Sequence, residues 1–155
     1  MVVAVATACG PPDSGACQAV ERPEEQSGSH LIGDATPPVA YSSTPGTSGW
    51  HAGGAPPQGV FGADDALTEP QIVSALESGQ VVIAYDPDDV TTDDIARLEE
   101  LATGRFEGQV TVTPFDGDMG AAIVLNGWAV RQACSALDEA ALADFVATFG
   151  DSNGH

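Results

Sequence analysis

Residues Tyr41–Gly62 read YSSTPGTSGWHAGGAPPQGVFG. Six glycines and the prolines Pro45, Pro56 and Pro57 keep this stretch out of long helices and ladders. It nevertheless carries Trp50, His51, Val60 and Phe61, large side chains that a flexible linker does not need. Irregular backbone with buriable aromatics predicts an ordered loop. Long ordered loops line a site or cover another element. The fold then follows from what the loop lies on.

The elements that can support it come next in the chain. Thr68-Glu69-Pro70 has a capping hydroxyl, an early acid and a proline in the first turn, the pattern of a helix start. Ile72, Val73 and Leu76 give that helix an apolar stripe, and Gly79 ends it. Gln80 to Tyr85 is a short β-branched apolar run, the mark of a buried strand. Thr91 to Asp94 opens a second helix with acids near the positive end of its dipole. Its stripe is Ile95, Leu98, Leu101 and Ala102. Gln109 to Thr113 alternates as a strand, Asp116-Gly117-Asp118 reads as a hairpin turn, and Ala121 to Leu125 as a third strand. Asp138 begins a last helix, with Leu142, Phe145, Val146 and Phe149 on one face. The expected architecture is a small α+β domain over residues 30–150. It has a mixed sheet of three to four strands, with helices packed on one face and the Gly/Pro-rich loop across the other face or an edge.

Upstream, composition changes. Residues 10–29 are rich in Gly, Pro, Ser and acid and read as a flexible tether. Residues 1–9, MVVAVATAC, resemble the end of a lipoprotein signal peptide: an apolar run, then Ala6-Thr7-Ala8 before Cys9 as the lipidation site. A basic n-region is missing, so a cleaved secretion signal and a plain apolar start stay open. Three cysteines leave Cys17 and Cys134 as one possible disulfide if Cys9 carries lipid. Two unrelated thiols are the alternative. The expected address is extracytoplasmic, membrane-anchored through lipid, or else secreted. Residues 151–155, with His155, read as a disordered tail. Acids number 23 against four arginines, for a formal net charge of −19. That balance excludes electrostatic binding to nucleic acid or anionic headgroups, and leaves cations, basic partners or a plain solvated surface.

The order of motifs resembles a bacterial family known as domain of unknown function 3105. In that family an extended Tyr precedes Pro-Pro-Thr-Ser-Gly-x-His, then Gly-Val-Tyr, then His-x-Leu-Glu-His-Gly and a Val-Val-Ile-x-Tyr strand. Here Tyr41 precedes Pro45-Gly46-Thr47-Ser48-Gly49-Trp50-His51, followed by Gly59-Val60-Phe61. Ser74-Ala75-Leu76-Glu77-Ser78-Gly79 then leads into Val81-Val82-Ile83-Ala84-Tyr85, with Gly127-Trp128 later. The resemblance brings no settled activity. Its paired histidines fall at Ser74 and Ser78 here, and hydroxyls are poor ligands for zinc or copper. If the family site takes such a metal, this chain has lost half of it.

Three readings remain. The favoured one is a non-catalytic binding or structural module whose loop, with Tyr41, Ser48, Trp50 and His51, meets an unknown protein or small-ligand partner. The second is an extracytoplasmic metal-binding protein that holds copper or zinc with His30, His51 and Glu77. The third is a hydrolase pairing Ser48, Ser74 or Ser78 with His51, for which no Gly-x-Ser-x-Gly elbow is present. For Glu77 itself the preferred role is to accept backbone N–H bonds from the loop and pin it to the first helix.

Overall fold

The structure, a computed structural model, describes residues 15–150. Cys9, the signal-like start, the first part of the tether and the 151–155 tail lie outside the described residues. The elements in chain order are β1 (His30–Leu31), β2 (His51–Ala52), α1 (Glu69–Glu77), β3 (Val81–Tyr85), α2 (Thr92–Thr103), β4 (Val110–Pro114), β5 (Ile123–Gly127), β6 (Val130–Cys134) and α3 (Glu139–Phe149). The main sheet has the order β4-β3-β5-β6, and β1 pairs with β2 in a separate two-stranded sheet. The class is α+β, as the sequence pattern implies.

Local chemistry accounts for the helices. Gln71 Oε1 accepts the Thr68 N–H at 2.9 Å, and Pro70 sits in the first turn of α1. Gly79, at φ 93°, lets its own N–H and that of Gln80 turn back to the Leu76 and Ala75 carbonyls. Thr91 Oγ1 caps α2 through the Asp94 N–H, and Asp138 Oδ1 caps α3 through the Ala141 N–H. Arg97 ties α2 to α3 with a bidentate grip on Glu139, at 2.6 and 3.0 Å.

Strand alternation splits the packing into two faces. Val81, Ile83, Val110, Val112, Ile123 and Leu125 join residues of α2 and α3 in the larger core. Val82 points the other way, to Ile72, Ala75 and Leu76 of α1. The helices therefore do not all share one face: α2 and α3 cover one side, and α1 lies with the loop on the other. The hairpin is also corrected. β5 pairs antiparallel with β3, so Asp116-Gly117-Asp118 lies in a crossing segment, not a tight turn. The true hairpin joins β5 to β6, where Gly127 faces Val130 across Trp128 and Ala129. Ala129 adopts φ 53°, a value that a non-glycine residue rarely takes.

Residues 15–29 do not behave as the expected tether. From Gly15 the chain runs antiparallel along β6, with reciprocal Glu21–Arg131 backbone bonds of 2.8 and 3.0 Å and Gln18 N–H to Ala133 O at 2.8 Å. The Cys17–Cys134 disulfide fastens this strap. At the opposite edge of the sheet, Gly59 and Phe61 exchange backbone bonds with Val112 of β4. Irregular segments thus cover both edges, whose open N–H and C=O groups would otherwise invite pairing with another chain. Among the described residues no helix is long and apolar enough to cross a membrane.

The bridge spans 117 residues, so opening it frees much conformational entropy in the unfolded chain. Cys17→Ser with Cys134→Ser is expected to lower unfolding stability by about 2–4 kcal/mol, read from urea melts of oxidised parent and variant. A change below about 0.5 kcal/mol would show that the strap is held by its backbone bonds alone.

Candidate metal centre

The loop is fixed by side chains reaching up from regular elements. On β4 the valines face α2 and α3, while Thr111 and Thr113 face the loop. Thr111 Oγ1 accepts the Gly59 N–H, and Thr113 Oγ1 accepts the Leu67 N–H. Gln80, buried at the start of β3, takes the Thr111 hydroxyl on Oε1 and donates from Nε2 to the Pro57 carbonyl. Tyr41 O–H donates to the Trp50 carbonyl at 2.6 Å. Its ring lies so close to Gly46 that a Cβ there would come within 2.5 Å of Cγ. The Thr44–Pro45 peptide is cis.

A carboxylate does bind loop backbone, but it is Glu69 and not Glu77. Glu69 Oε1 accepts the Gly46 N–H at 3.2 Å from the first residue of α1. Burial pushes the Glu69 carboxyl above its ordinary value, and the Gly46 N–H opposes that rise. Glu77, the last residue of α1, instead meets the His51 ring: its Oε2 stands 2.9 Å from Nε2.

His30 completes the group through backbone pairing. β1 and β2 are parallel, with His30 in register with His51, so the two side chains share a face. The ring centroids are 4.6 Å apart at an interplanar angle of 80°. Ligand atoms of His30, His51 and Glu77 all lie within 4.8 Å of one another. His51 is 5% exposed, Glu77 half-buried and His30 exposed.

The hydrogen bonds of His51 decide what this group can do. Nδ1 lies 2.9 Å from the Gly49 carbonyl, which can only accept, so Nδ1 carries a proton. In the neutral ring the lone pair is then on Nε2. That atom is buried and has no hydrogen-bond partner, although Glu77 Oε2 is 2.9 Å away. The oxygen is close but off the line along which an Nε2–H would point. Two ligands about 2.0–2.1 Å from one ion stand about 2.9 Å apart at the right angle of a tetragonal copper(II) site and about 3.3 Å apart in a tetrahedral zinc site, so the pair as it stands fits the first and would open slightly for the second. A backbone carbonyl on the far ring nitrogen is also the usual means of orienting a metal-binding histidine.

The other residues singled out from sequence are elsewhere engaged. Ser48 Oγ accepts the Gln26 N–H, and Ser78 Oγ donates to the Ala75 carbonyl at the end of α1. Ser74 is buried on α1. Neither nitrogen of His51 faces a hydroxyl, since one meets Gly49 O and the other Glu77. The geometry a serine nucleophile needs is therefore not formed. Trp50 contributes its carbonyl to Tyr41. Sequence reasoning missed Glu69 and the strap residues that border the centre. Ser29 O accepts the His51 N–H, and Gln26 spans Ser48, Ala40 and Ser42. An acid beside Pro70 reads equally well as a plain helix-start residue, and the strap's Gly, Ser and acid content hid its anchoring.

Comparison with known proteins agrees with the pattern of motifs. The family model described as protein of unknown function (DUF3105) matches residues 34–154, and the chain belongs to this family. No curated protein and no solved structure matches it.

Tyr41 offers a test of the loop's anchoring. Burial, reinforced by the negative charge of Glu69, pushes its phenol up to about 12 from the ordinary 10.0. A folded-state pKa raised in this way stabilises the fold at lower pH, and that contribution is lost as pH rises from 10.0 through about 12. Tyrosinate absorbance is expected to show Tyr41 ionising last, with loosening of the loop. Tyr41→Phe should remove that step and lower stability by about 1 kcal/mol.

Proposed function

We propose that this chain is an extracytoplasmic metal-binding module that holds a zinc or copper ion with His30 and His51 nitrogens and a Glu77 oxygen. The observation that carries this reading is the buried, unpartnered Nε2 of His51 beside the Glu77 carboxylate. Leaving a buried nitrogen without a partner costs free energy, which a ligated cation would recover. Two imidazoles and one carboxylate suit zinc or copper(II) and leave at least one coordination position open. The Glu77 charge and the acidic surface favour a cation on approach.

The Cys17–Cys134 bridge supports an oxidising compartment, and Cys9 after Ala6-Thr7-Ala8 supports attachment of lipid there. A second reading keeps the same surface as a metal-free recognition module. It is favoured by the number of bonds that fix the loop without any ion, from Tyr41, Glu69, Gln80, Thr111 and Thr113.

Calorimetric titration of chelator-stripped protein with zinc and copper(II) separates the two. The metal reading expects one site, and at about 100 times the Kd a stabilisation of about 2.7 kcal/mol reversed by chelator. His51→Ala and Glu77→Ala should each weaken binding by at least roughly 10–100-fold, while Ser74→Ala and Ser78→Ala leave it unchanged. No heat, no shift in melting and no difference between parent and His51→Ala would leave the recognition surface as the function. Palmitate labelling lost in Cys9→Ser checks the anchor independently.

A further inference from the structure

A bound ion at His30, His51 and Glu77 would not be sealed. A cleft of about 390 Å³ opens beside it, lined by His51 and Glu77, by the strap around Glu25 and Gly28, and by Trp128. Its far wall is built rather than incidental. Trp128 Nε1 donates to Glu25 Oε1 at 2.8 Å, which joins the β5–β6 turn to the strap. Gly28 crosses Gly49 backbone to backbone, so tightly that a Cβ on Gly28 would sit 2.2 Å from the Gly49 carbonyl carbon. The strap is thereby held at a fixed distance from the carbonyl that orients His51.

The geometry points to this cleft as the site of an exogenous ligand to the ion, of the class of neutral nitrogen bases: an imidazole or an unprotonated amine. This inference rests on the metal reading of the three ligands. Protein side chains supply three donors, and zinc or copper(II) takes four or more. The cleft matches the lower end of small-molecule sites in size. Its lining holds two carboxylates, Glu25 and Glu77, and no arginine or lysine, on a chain of net charge −19. With a divalent ion bound, Glu25 and Glu77 already balance its two positive charges, so an anionic ligand such as azide or phosphate would leave the site net negative on an acidic chain. A flat neutral base ligates the ion, adds no charge and lays its ring against the indole of Trp128.

Two sources share this chemistry, a free small molecule and the histidine of a partner protein. Cobalt(II) in place of zinc makes the test visible, since its d–d spectrum changes when a ligand is added. The cobalt-loaded full chain is titrated with imidazole, with a blocked glycyl-histidyl-glycine peptide, and with azide. Imidazole is expected to change the spectrum at least tenfold more tightly than azide. Peptide binding as tight as imidazole identifies a partner side chain, and imidazole alone identifies a small molecule. Trp128→Leu should weaken imidazole by about two- to tenfold, the usual worth of an aromatic contact, while leaving cobalt affinity unchanged. Because Trp128 also packs on α1, Glu25→Gln serves as the second variant: it keeps the wall, removes one charge, and should tighten azide severalfold. Cobalt binding without any response to imidazole or peptide, or with azide preferred in the parent, overturns this inference and leaves the metal site standing. Absence of cobalt binding overturns this inference, and absence of zinc and copper(II) binding as well overturns both.

Discussion

An irregular loop inside a folded domain must find partners for backbone N–H and C=O groups that no ladder satisfies. That constraint organises this molecule. Residues 41–67 meet it by borrowing side chains from the regular elements beneath. Thr111 and Thr113 of β4, Gln80 before β3, Glu69 of α1 and Tyr41 within the loop each bind a backbone group. The regularity of the sheet matters to function mainly because it sets those donors and acceptors at fixed spacing. Two threonines at alternate positions of one strand hold two points of the loop, while the intervening valines build the opposite core.

The N-terminal strap solves a second problem with the same material. It lies on the β6 edge, closes one side of the sheet and passes directly into β1, where His30 resides. The disulfide, the Glu21–Arg131 backbone pair and the Gln26–Ser48 bond are successive fastenings along a single segment. One ligand of the proposed centre is thus delivered by the strap, one by the loop and one by the C-terminal end of α1. A group assembled from three separate segments is held only as well as the segments are held. The density of fastening around it has that physical meaning.

Placing Glu77 against His51 also separates the roles of the two acids of α1. Glu69, at the N-terminal end, sits in a half-buried position where a backbone N–H partly offsets the cost of its charge. Glu77, one-third exposed, keeps an oxygen beside a buried imidazole nitrogen without a proper hydrogen bond to it. The first arrangement is complete in itself. The second leaves a buried imidazole nitrogen without a hydrogen bond, and the proposed metal centre rests on that feature.

The sequence by itself determined the three helices, because caps and 3.6-residue stripes are local signals, and three of the main strands, because β-branched runs are local too. Motif order identified the family, and composition marked the loop as ordered and His30, His51 and Glu77 as a possible set. It did not show β6, whose Arg131 and Gln132 break the apolar pattern at an edge. It did not place β5 next to β3 instead of β4, or α1 across the sheet from α2 and α3, since strand order and the choice of face depend on contacts between distant segments. The strap was misread as a tether for the same reason: its order comes from backbone bonds to β6 and from Cys134, neither of which its own composition records. Only the tertiary structure decided that Glu69 and not Glu77 pins the loop. Both acids lie on one helix, and which carboxylate meets an N–H and which an imidazole depends on where the loop crosses that helix.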